Sequence, residues 1–248
     1  MFVLRCENYT MNPLATDVVF EPFGLPVTNT MLTGTLVTIV LAIVAVVLRL
    51  MLSMWPSRAQ VVAEQVIDMW QSLADNAGGK RARRFVPLVG SAFVFILFAN
   101  WMGALPLKHI RTINPDGNSV ELVRSATSDL NLTAAVALMV VVLVELLEMR
   151  SHGLKHYVKA LVIPNPLRWL EILVRPLSLA FRLFGSVFAG HVLVGTILAI
   201  APAVLFPFLV LELFMGLIQS VIFATLSLVF LTIATARGAN DIERTQTA

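Results

Sequence analysis

Four polar side chains lie inside two long apolar stretches near the carboxyl end of the chain: Arg182, His191, Glu212 and Gln219. A charged group in an apolar stretch of membrane length is costly unless water or an opposite charge is nearby, and such groups commonly mark ion or proton pathways. Histidine and glutamate together can pass a proton, because each can titrate near neutral pH in a suitable environment. These residue types indicate a proton route that reaches the neighbourhood of an arginine.

The spacing places the four residues in two pairs. If the two apolar stretches fold antiparallel about a break near residue 201, residues equally far from the break lie at the same level. His191 and Glu212, each about ten residues from the break, then face each other, and Arg182 faces Gln219 at about eighteen residues. Because Arg182 and His191 are nine residues apart, helical geometry puts them on opposite faces, about 13 Å apart along the axis.

Each of these residues also has a structural explanation. Arg182 lies about 10 Å along a helix from Arg175, so its side chain could simply extend to the inner membrane surface. His191 and Glu212 could be a structural pair that holds the hairpin together, and Gln219 could be a hydrogen-bond donor between helices. Small residues in the first stretch could serve close packing or leave a smooth face for a moving partner. They are Ser178, Gly185, Ser186, Ala189 and Gly190.

The composition is that of a membrane protein. Hydrophobic residues make up 58% of the 248 residues and charged residues only 13%, whereas about a quarter of a soluble domain is charged. No long stretch lacks an apolar span, which leaves no room for a soluble catalytic domain. The net charge of +3 does not suggest nucleic acid. Cys6 is the only cysteine, so neither an internal disulfide nor a thiol metal cluster is expected, and the start of the chain lacks the apolar region of a cleavable signal peptide.

The apolar pattern predicts one all-α membrane domain over residues 1–248, with five membrane-crossing helices and one amphipathic surface helix. At 1.5 Å per residue the last two helices are near 50 Å long, so they should form a strongly tilted hairpin across a core of ~30 Å. The predicted ranges are an outside arm (1–29), span 1 (30–54), the surface helix (56–77), spans 2 and 3 (85–105 and 128–149), the tilted helices (166–200 and 203–236) and a cytoplasmic tail (237–248).

Lysines and arginines are unevenly distributed between the two sides of this arrangement. With the amino terminus placed outside, twelve of them lie on the inner side and four on the outer side, while Arg49 and Arg182 lie within spans. Cytoplasmic loops are enriched in positive side chains. The sequence therefore predicts an outside amino terminus and a cytoplasmic carboxyl terminus.

Three motifs carry a resemblance to a known family. The run RPLSLAFRLFGSVFAGH, residues 175–191, resembles the signature of subunit a of F-type ATP synthases, in which Pro-x-Ser-Leu-x-x-Arg-Leu-Phe-Gly precedes Ala-Gly and an ionisable residue. The run LELFMGLIQSVIFATLSLVFL, residues 211–231, resembles the last helix of that family, and SATSDLNLTAAVAL, residues 125–138, resembles the polar run before an earlier helix. The order of elements is similar over nearly the whole chain.

The resemblance implies roles for the central residues. Arg182 is similar to the essential stator arginine, which faces the ion-binding carboxylates of the rotating c-ring, keeps them ionised and blocks a direct leak between two offset half-channels. His191, Glu212 and Gln219 would belong to the half-channel open to the outside. Many bacterial members have the glutamate and histidine in the reverse order, and an exchange across a facing pair preserves the chemistry. Ser186 stands where the family commonly has asparagine, although a hydroxyl can also supply a polar contact.

Three further residues are candidates for the channel openings. Asp129 and Asn131 begin span 3 on the outer side and could lie at the mouth of the outer half-channel, but a helix cap by Ser128 or Asp129 explains them equally well. Glu171 lies on the inner side and is a candidate for the cytoplasmic half-channel. The spacing favours an ordinary ion pair of Glu171 with Arg175, four residues later.

The resemblance also implies partners and a location. The subunit would have no enzymatic activity of its own and would work with the c-ring, the peripheral-stalk subunit b and the catalytic head, surrounded by lipids of an energy-coupling membrane such as the bacterial plasma membrane. No cofactor, metal or nucleic acid is expected. The pair of His191 and Glu212 favours protons over sodium. An independent transporter should show inverted repeats, which the sequence lacks, and a purely structural scaffold would leave Arg182 replaceable.

Overall fold

The computed structural model describes residues 18–20, 27–52, 58–104, 111–113, 119–121, 124–152, 166–201 and 204–246. Helices dominate these residues, and two short antiparallel strand pairs accompany them. The helices are α1 (Asn29–Leu50), α2 (Arg58–Gly78), α3 (Lys80–Arg83), α4 (Val86–Ala104), α5 (Leu130–His152), α6 (Pro166–Ile200) and α7 (Leu205–Gln246). The strand pairs are β1 (Val18–Phe20) with β2 (Val27–Thr28), and β3 (Arg111–Ile113) with β4 (Ser119–Glu121).

Five helices, α1, α4, α5, α6 and α7, are long and apolar enough to cross a membrane. The prediction of an all-α integral membrane protein with five membrane-crossing helices is therefore confirmed. Helix α6 has the predicted bounds, and the other ends lie within a few residues of the predicted ones, except that α7 continues to Gln246 through most of the segment 237–248. The strong tilt of α6 and α7 stays a prediction.

The apolar core lies where α4, α5, α6 and α7 pack together. Each of these helices contributes a fully buried side chain, and these are Ile96, Val144, Leu183 and Phe223. Burial of a large apolar side chain contributes about 1.5–3 kcal/mol in water, but within a bilayer close packing takes over much of that role. The packing fixes the levels of α6 and α7 relative to α4 and α5, and these four helices carry most of the polar residues described below.

Helix α1 joins the bundle only near its amino-terminal end. Its buried residues are Asn29, Thr30, Thr33, Gly34 and Val37, and no residue of α1 beyond Val37 is buried. The remainder of the helix exposes large apolar side chains. The carboxyl-terminal half of α1 is therefore suited to contact with lipid or with another membrane helix.

Helix α2 packs one face against the core and turns sharply into α3. Trp70 is 1% exposed and its ring lies 5.3 Å from that of Phe93 in α4. The turn is made by Gly79, whose φ of +60° favours glycine. Arg83 forms a two-point ion pair with Asp75 beside this turn, and its hydrogen bond lowers the pKa of the Asp75 carboxyl. Both groups are exposed, so the pair contributes little to stability.

Candidate functional site

His191 of α6 and Glu212 of α7 form a direct contact between the two helices. The His191 Nδ1 atom lies 3.0 Å from the Glu212 Oε1 atom, and the side chains are 13% and 10% exposed. Gly190, the preceding residue of α6, lies beside this contact, and a Cβ there would be at an ordinary contact distance of 3.4 Å from Glu212 Cγ. Glu212 Oε2 is buried and accepts no hydrogen bond from the described residues. The structure thus brings an acid and a base together with one carboxylate oxygen available to a water molecule or another proton carrier.

Arg182 lies on a different face of α6 from the buried side chains. Its side chain is exposed, and among the described residues it forms neither a hydrogen bond nor an ion pair. Small residues lie one or two turns away on the same face: Ser178, Gly185 and Ala189. A Cβ at Gly185 would meet nothing within 4 Å. The arginine therefore projects from an uncovered face on which another helix could approach closely.

Gln219 is buried in the bundle, with 6% of its surface exposed. Its Nε2 atom has no hydrogen-bond partner among the described residues, and no hydrogen bond joins it to Arg182. Equal distance from the hairpin break gives two residues the same level but says nothing about the direction of either side chain. Here Arg182 is exposed and Gln219 points into the bundle.

Helix α4 contributes two polar contacts near the same segment of α7. The Asn100 side chain donates to the carbonyl of Gly216, and the Trp101 indole donates to the carbonyl of Leu213. Sequence reasoning does not assign a role to Asn100, although it is the only amide in the apolar stretch 85–105. That isolation within a span is the signal by which it could be found.

Asp129 is held at the start of α5 by both of its carboxylate oxygens. Oδ1 accepts from the backbone amide of Asn131 at 2.8 Å, and Oδ2 accepts from the hydroxyl of Thr30 at 3.0 Å. The first contact is that of a helix cap, and the second connects α5 to α1. The Asn131 side chain is exposed. These contacts support the capping interpretation, while the position of Asp129 at the mouth of a channel stays a prediction.

Arg175, two turns before Arg182 on α6, contacts both α5 and α7. Arg175 Nη1 lies 4.0 Å from Glu145 Oε1 of α5, and its guanidinium lies over the Phe230 ring at 5.2 Å. The Glu171 side chain lies outside the described part of the molecule, so its predicted pairing stays a prediction.

Ser186 is half-buried and donates its hydroxyl to the carbonyl of Leu183 at 3.1 Å. Within the described residues no group of histidine, cysteine and carboxylate side chains could hold a metal ion.

Residues 30–232 match the family model described as ATP synthase A chain. The chain belongs to this family. It is 37% identical over 180 residues to ATP synthase subunit a of Gloeobacter violaceus, an alignment that covers 69% of each chain. It is 32% identical over 194 residues to ATP synthase subunit a of Acidothermus cellulolyticus, which covers 75% of this chain and 68% of the relative.

Membership in the ATP synthase A chain family confirms the resemblance that the motifs around Arg182 and Gln219 indicated. It also assigns the chain to ATP synthesis, proton transport and the membrane. Five membrane-length helices agree with that assignment. The family match spans both the His191–Glu212 contact and Arg182.

Proposed function

We propose that the chain is the stator subunit a of the membrane sector of an F-type ATP synthase. In this role it forms two offset proton half-channels against the rotating c-ring and couples proton flow to ATP synthesis. The single observation that carries the proposal is the separation of two polar groups on α6. A partly buried proton-passing pair, His191 with Glu212, lies about 13 Å along the axis from an exposed arginine without a partner in the described chain.

The outer half-channel runs through the partly buried pair. His191 and Glu212 are in hydrogen-bonding contact, so a proton can pass between imidazole and carboxylate without a large movement of either side chain. Gln219 lies two helical turns from Glu212 on the same face of α7, with a buried amide nitrogen that can orient water. Asp129 and Asn131 are proposed at the mouth of this route, and Ser186 as a further polar contact.

Arg182 separates the two half-channels. A guanidinium remains charged in proteins, so it does not carry the proton but repels a proton that would pass directly from one half-channel to the other. Its exposed position allows a carboxylate of the c-ring to approach, and the attraction would keep that carboxylate ionised until it moves away. The small residues around Arg182 permit this approach. Glu171 is proposed for the cytoplasmic half-channel.

The remaining parts of the proposal concern assembly and placement. The chain would act with the c-ring, the peripheral-stalk subunit b and the catalytic head, without enzymatic activity of its own. The distribution of positive residues supports an outside amino terminus and a cytoplasmic carboxyl terminus in a bacterial plasma membrane. The His191–Glu212 contact supports protons as the transported ion.

The substitution Arg182→Ala tests the proposal in the reconstituted synthase. Proton-driven ATP synthesis should fall by about a hundredfold or more, because a preorganised charge is removed from a site of low dielectric constant. Passive proton leak through the membrane sector should rise. Arg150→Ala is the matched control, because Arg150 is exposed at the inner end of α5, and it should leave both rates unchanged. Normal synthesis in assembled Arg182→Ala complexes would contradict the stator proposal and favour a structural scaffold.

A further inference from the structure

We infer that Asn100 and Trp101 of α4 are positioning residues for proton transfer, because they fix the height and rotation of the α7 segment that carries Glu212 and Gln219. The inference rests on the proposed function, since it concerns the outer half-channel. It adds two residues that do not carry the proton themselves. Their role is to hold the groups that do.

The contacts of this α4 donor pair (Asn100 and Trp101) are made to the backbone of α7. Asn100 Nδ2 donates to the carbonyl of Gly216 at 3.2 Å, and Trp101 Nε1 donates to the carbonyl of Leu213 at 3.1 Å. The two carbonyls are three residues apart, so they lie on neighbouring turns of one helix face. The two donors come from adjacent residues and reach two different turns of α7. Together they restrain both the sliding of α7 along its axis and its rotation about that axis.

At Gly216 the backbone of α7 lies close to Asn100 of α4. A Cβ at this position would lie 3.0 Å from the Asn100 Cβ, closer than side chains tolerate without movement. Gly216 is four residues after Glu212 and three before Gln219, so all three lie on one face of α7. The glycine therefore lets a buried amide, 6% exposed, lie between the two proposed half-channel residues.

A second set of polar contacts, made by the loop before α5, fixes the orientation of the Asn100 side chain. The Gly216 carbonyl can only accept, so the amide nitrogen must point toward it and the amide oxygen must point away. Thr127 donates its hydroxyl to that oxygen. Ser125 contacts the Thr127 hydroxyl at 2.9 Å and donates to the carbonyl of Ala99 at 3.1 Å. The loop before α5 thus holds the amide in the orientation that α7 requires.

The functional consequence follows from the contact that Glu212 makes with α6. Glu212 contacts His191 at 3.0 Å, and the α4 donor pair holds the same segment of α7 through its backbone carbonyls. A rotation of α7 by about 20° would move a carboxylate about 5 Å from the helix axis by nearly 2 Å. That displacement would break the contact with His191. Small changes in the α4 donor pair should therefore change proton transfer before they change the fold.

Few titratable groups can affect this segment. Helix α4 contains no titratable side chain. Helix α6 contributes His191 at the level of Glu212 and Arg182 farther along the axis. The charged groups of α5, namely Glu145, Glu148 and Arg150, lie toward its carboxyl end, whereas Asp129 directly precedes its first residue, next to the Ser125 and Thr127 contacts. A change in the pH dependence of proton flux after substitution in α4 would therefore report on the geometry around Glu212, His191 and Asp129.

The experiment uses the complete synthase in vesicles and measures proton-driven ATP synthesis as a function of pH on the outer side of the membrane. Asn100→Leu keeps the size of the side chain but removes both hydrogen bonds, and Trp101→Phe removes only the indole donor. We expect synthesis to fall about fivefold for Asn100→Leu, with a shift of about half a pH unit or more in the half-maximal rate. Trp101→Phe should give a smaller change of the same kind. Ser91→Ala, an exposed residue of α4, is the control and should match the unsubstituted protein.

The outcomes separate the inference from the proposed function. If assembled Asn100→Leu complexes keep the normal rate and pH profile, or lose rate without a change in profile, the positioning role is wrong. If Asn100→Leu fails to assemble, Trp101→Phe decides by the same criteria, because it preserves the packing of a ring. Glu212→Gln is measured in parallel. Full proton flux in that variant would overturn the half-channel itself, whatever the result for α4.

Discussion

The hydrogen bond between His191 Nδ1 and Glu212 Oε1 joins a base on one helix to an acid on the other. In the proposed route the proton passes between the two partners of this pair, and that chemistry does not depend on which helix supplies which partner. This equivalence of the two arrangements can be tested directly.

The first prediction is that exchanging the pair restores function that single substitutions remove. His191→Glu alone places two carboxylates at the distance of the present contact, which disfavours ionisation of both, and Glu212→His alone leaves two imidazoles. Each single variant should lower ATP-driven proton pumping by about a hundredfold or more, the usual contribution of a positioned acid or base. The double variant His191→Glu, Glu212→His should recover most of the rate.

Assembly of the complex serves as the control for this exchange and is measured from the amount of subunit in the membrane. Equal loss in the single and double variants, at normal assembly, would show that the contact is not a proton-passing pair. A recovery limited to assembly would assign the two residues to holding the hairpin together.

At the scale of single residues, the sequence predicts which residues of the hairpin lie at the same height along the two helices. It does not predict the direction in which each side chain points. The position of the hairpin break is sufficient to place His191 opposite Glu212, because level follows from counting along two helices. It also places Arg182 level with Gln219, yet one side chain is exposed and the other is buried. The direction depends on the packing of α4, α5 and α6 around α7, and residue numbers along two helices do not give that packing. The contact from Asn100 to Gly216 could not be predicted for the same reason.

At the scale of elements, the corner between α2 and α3 is fitted tightly against α7. A Cβ at Gly78 would overlap the methyl group of Thr232, and that threonine is held by a hydrogen bond from its hydroxyl to the carbonyl of Leu228 at 2.7 Å. Rotating Thr232 to make room would break this bond. The amphipathic pattern predicts a helix over this region but gives no sign that its last turn meets α7.

The second prediction is that the effect of Gly78→Ala on stability changes sign when Thr232, the residue that it contacts, is substituted as well. Gly78→Ala should destabilise the chain by about 1–3 kcal/mol, because it overpacks the contact with Thr232. In a Thr232→Ser background the methyl group is gone and the hydroxyl remains. There the same substitution should be neutral or stabilising by up to about 1 kcal/mol, since alanine favours helix over glycine. Thermal denaturation of the purified membrane sector in detergent measures all four combinations.

Additive effects of the two substitutions would contradict this account of the corner. A large loss in the Thr232→Ser background alone would show that the methyl group has another packing role. Either result would leave the half-channel residues unaffected, because the corner lies on a different part of α7 from Glu212 and Gln219.

At the scale of the whole molecule, the packing of the membrane-length helices buries Asn100 and Gln219 and leaves Arg182 exposed on α6. Composition and apolar length are sufficient to predict the number of spans, because crossing a bilayer imposes a minimum length and excludes charge. They do not predict which face of α6 remains uncovered. That face depends on how α5 and α7 pack against the helix, and it is where the c-ring is proposed to lie.

The third prediction tests the uncovered face without changing a charge. Gly185 lies one turn from Arg182, and a Cβ there would meet nothing within 4 Å of the described chain. Gly185→Leu should therefore leave the fold of this chain intact. If a c-ring helix approaches here, the added side chain would hold it away from Arg182 and weaken the attraction between arginine and carboxylate. Proton-driven synthesis should then fall by about tenfold or more, at normal assembly of the complex, in reconstituted vesicles.

Ala135→Leu is the control for this face, because Ala135 is small and exposed but lies on α5. A leucine there meets lipid in the proposed arrangement and should leave synthesis unchanged. Equal activity of the two variants would place the rotating partner on another surface of the bundle. Loss of activity only for Gly185→Leu would show that the partner must come close to the exposed arginine, since both variants carry an added leucine and differ in the helix that presents it.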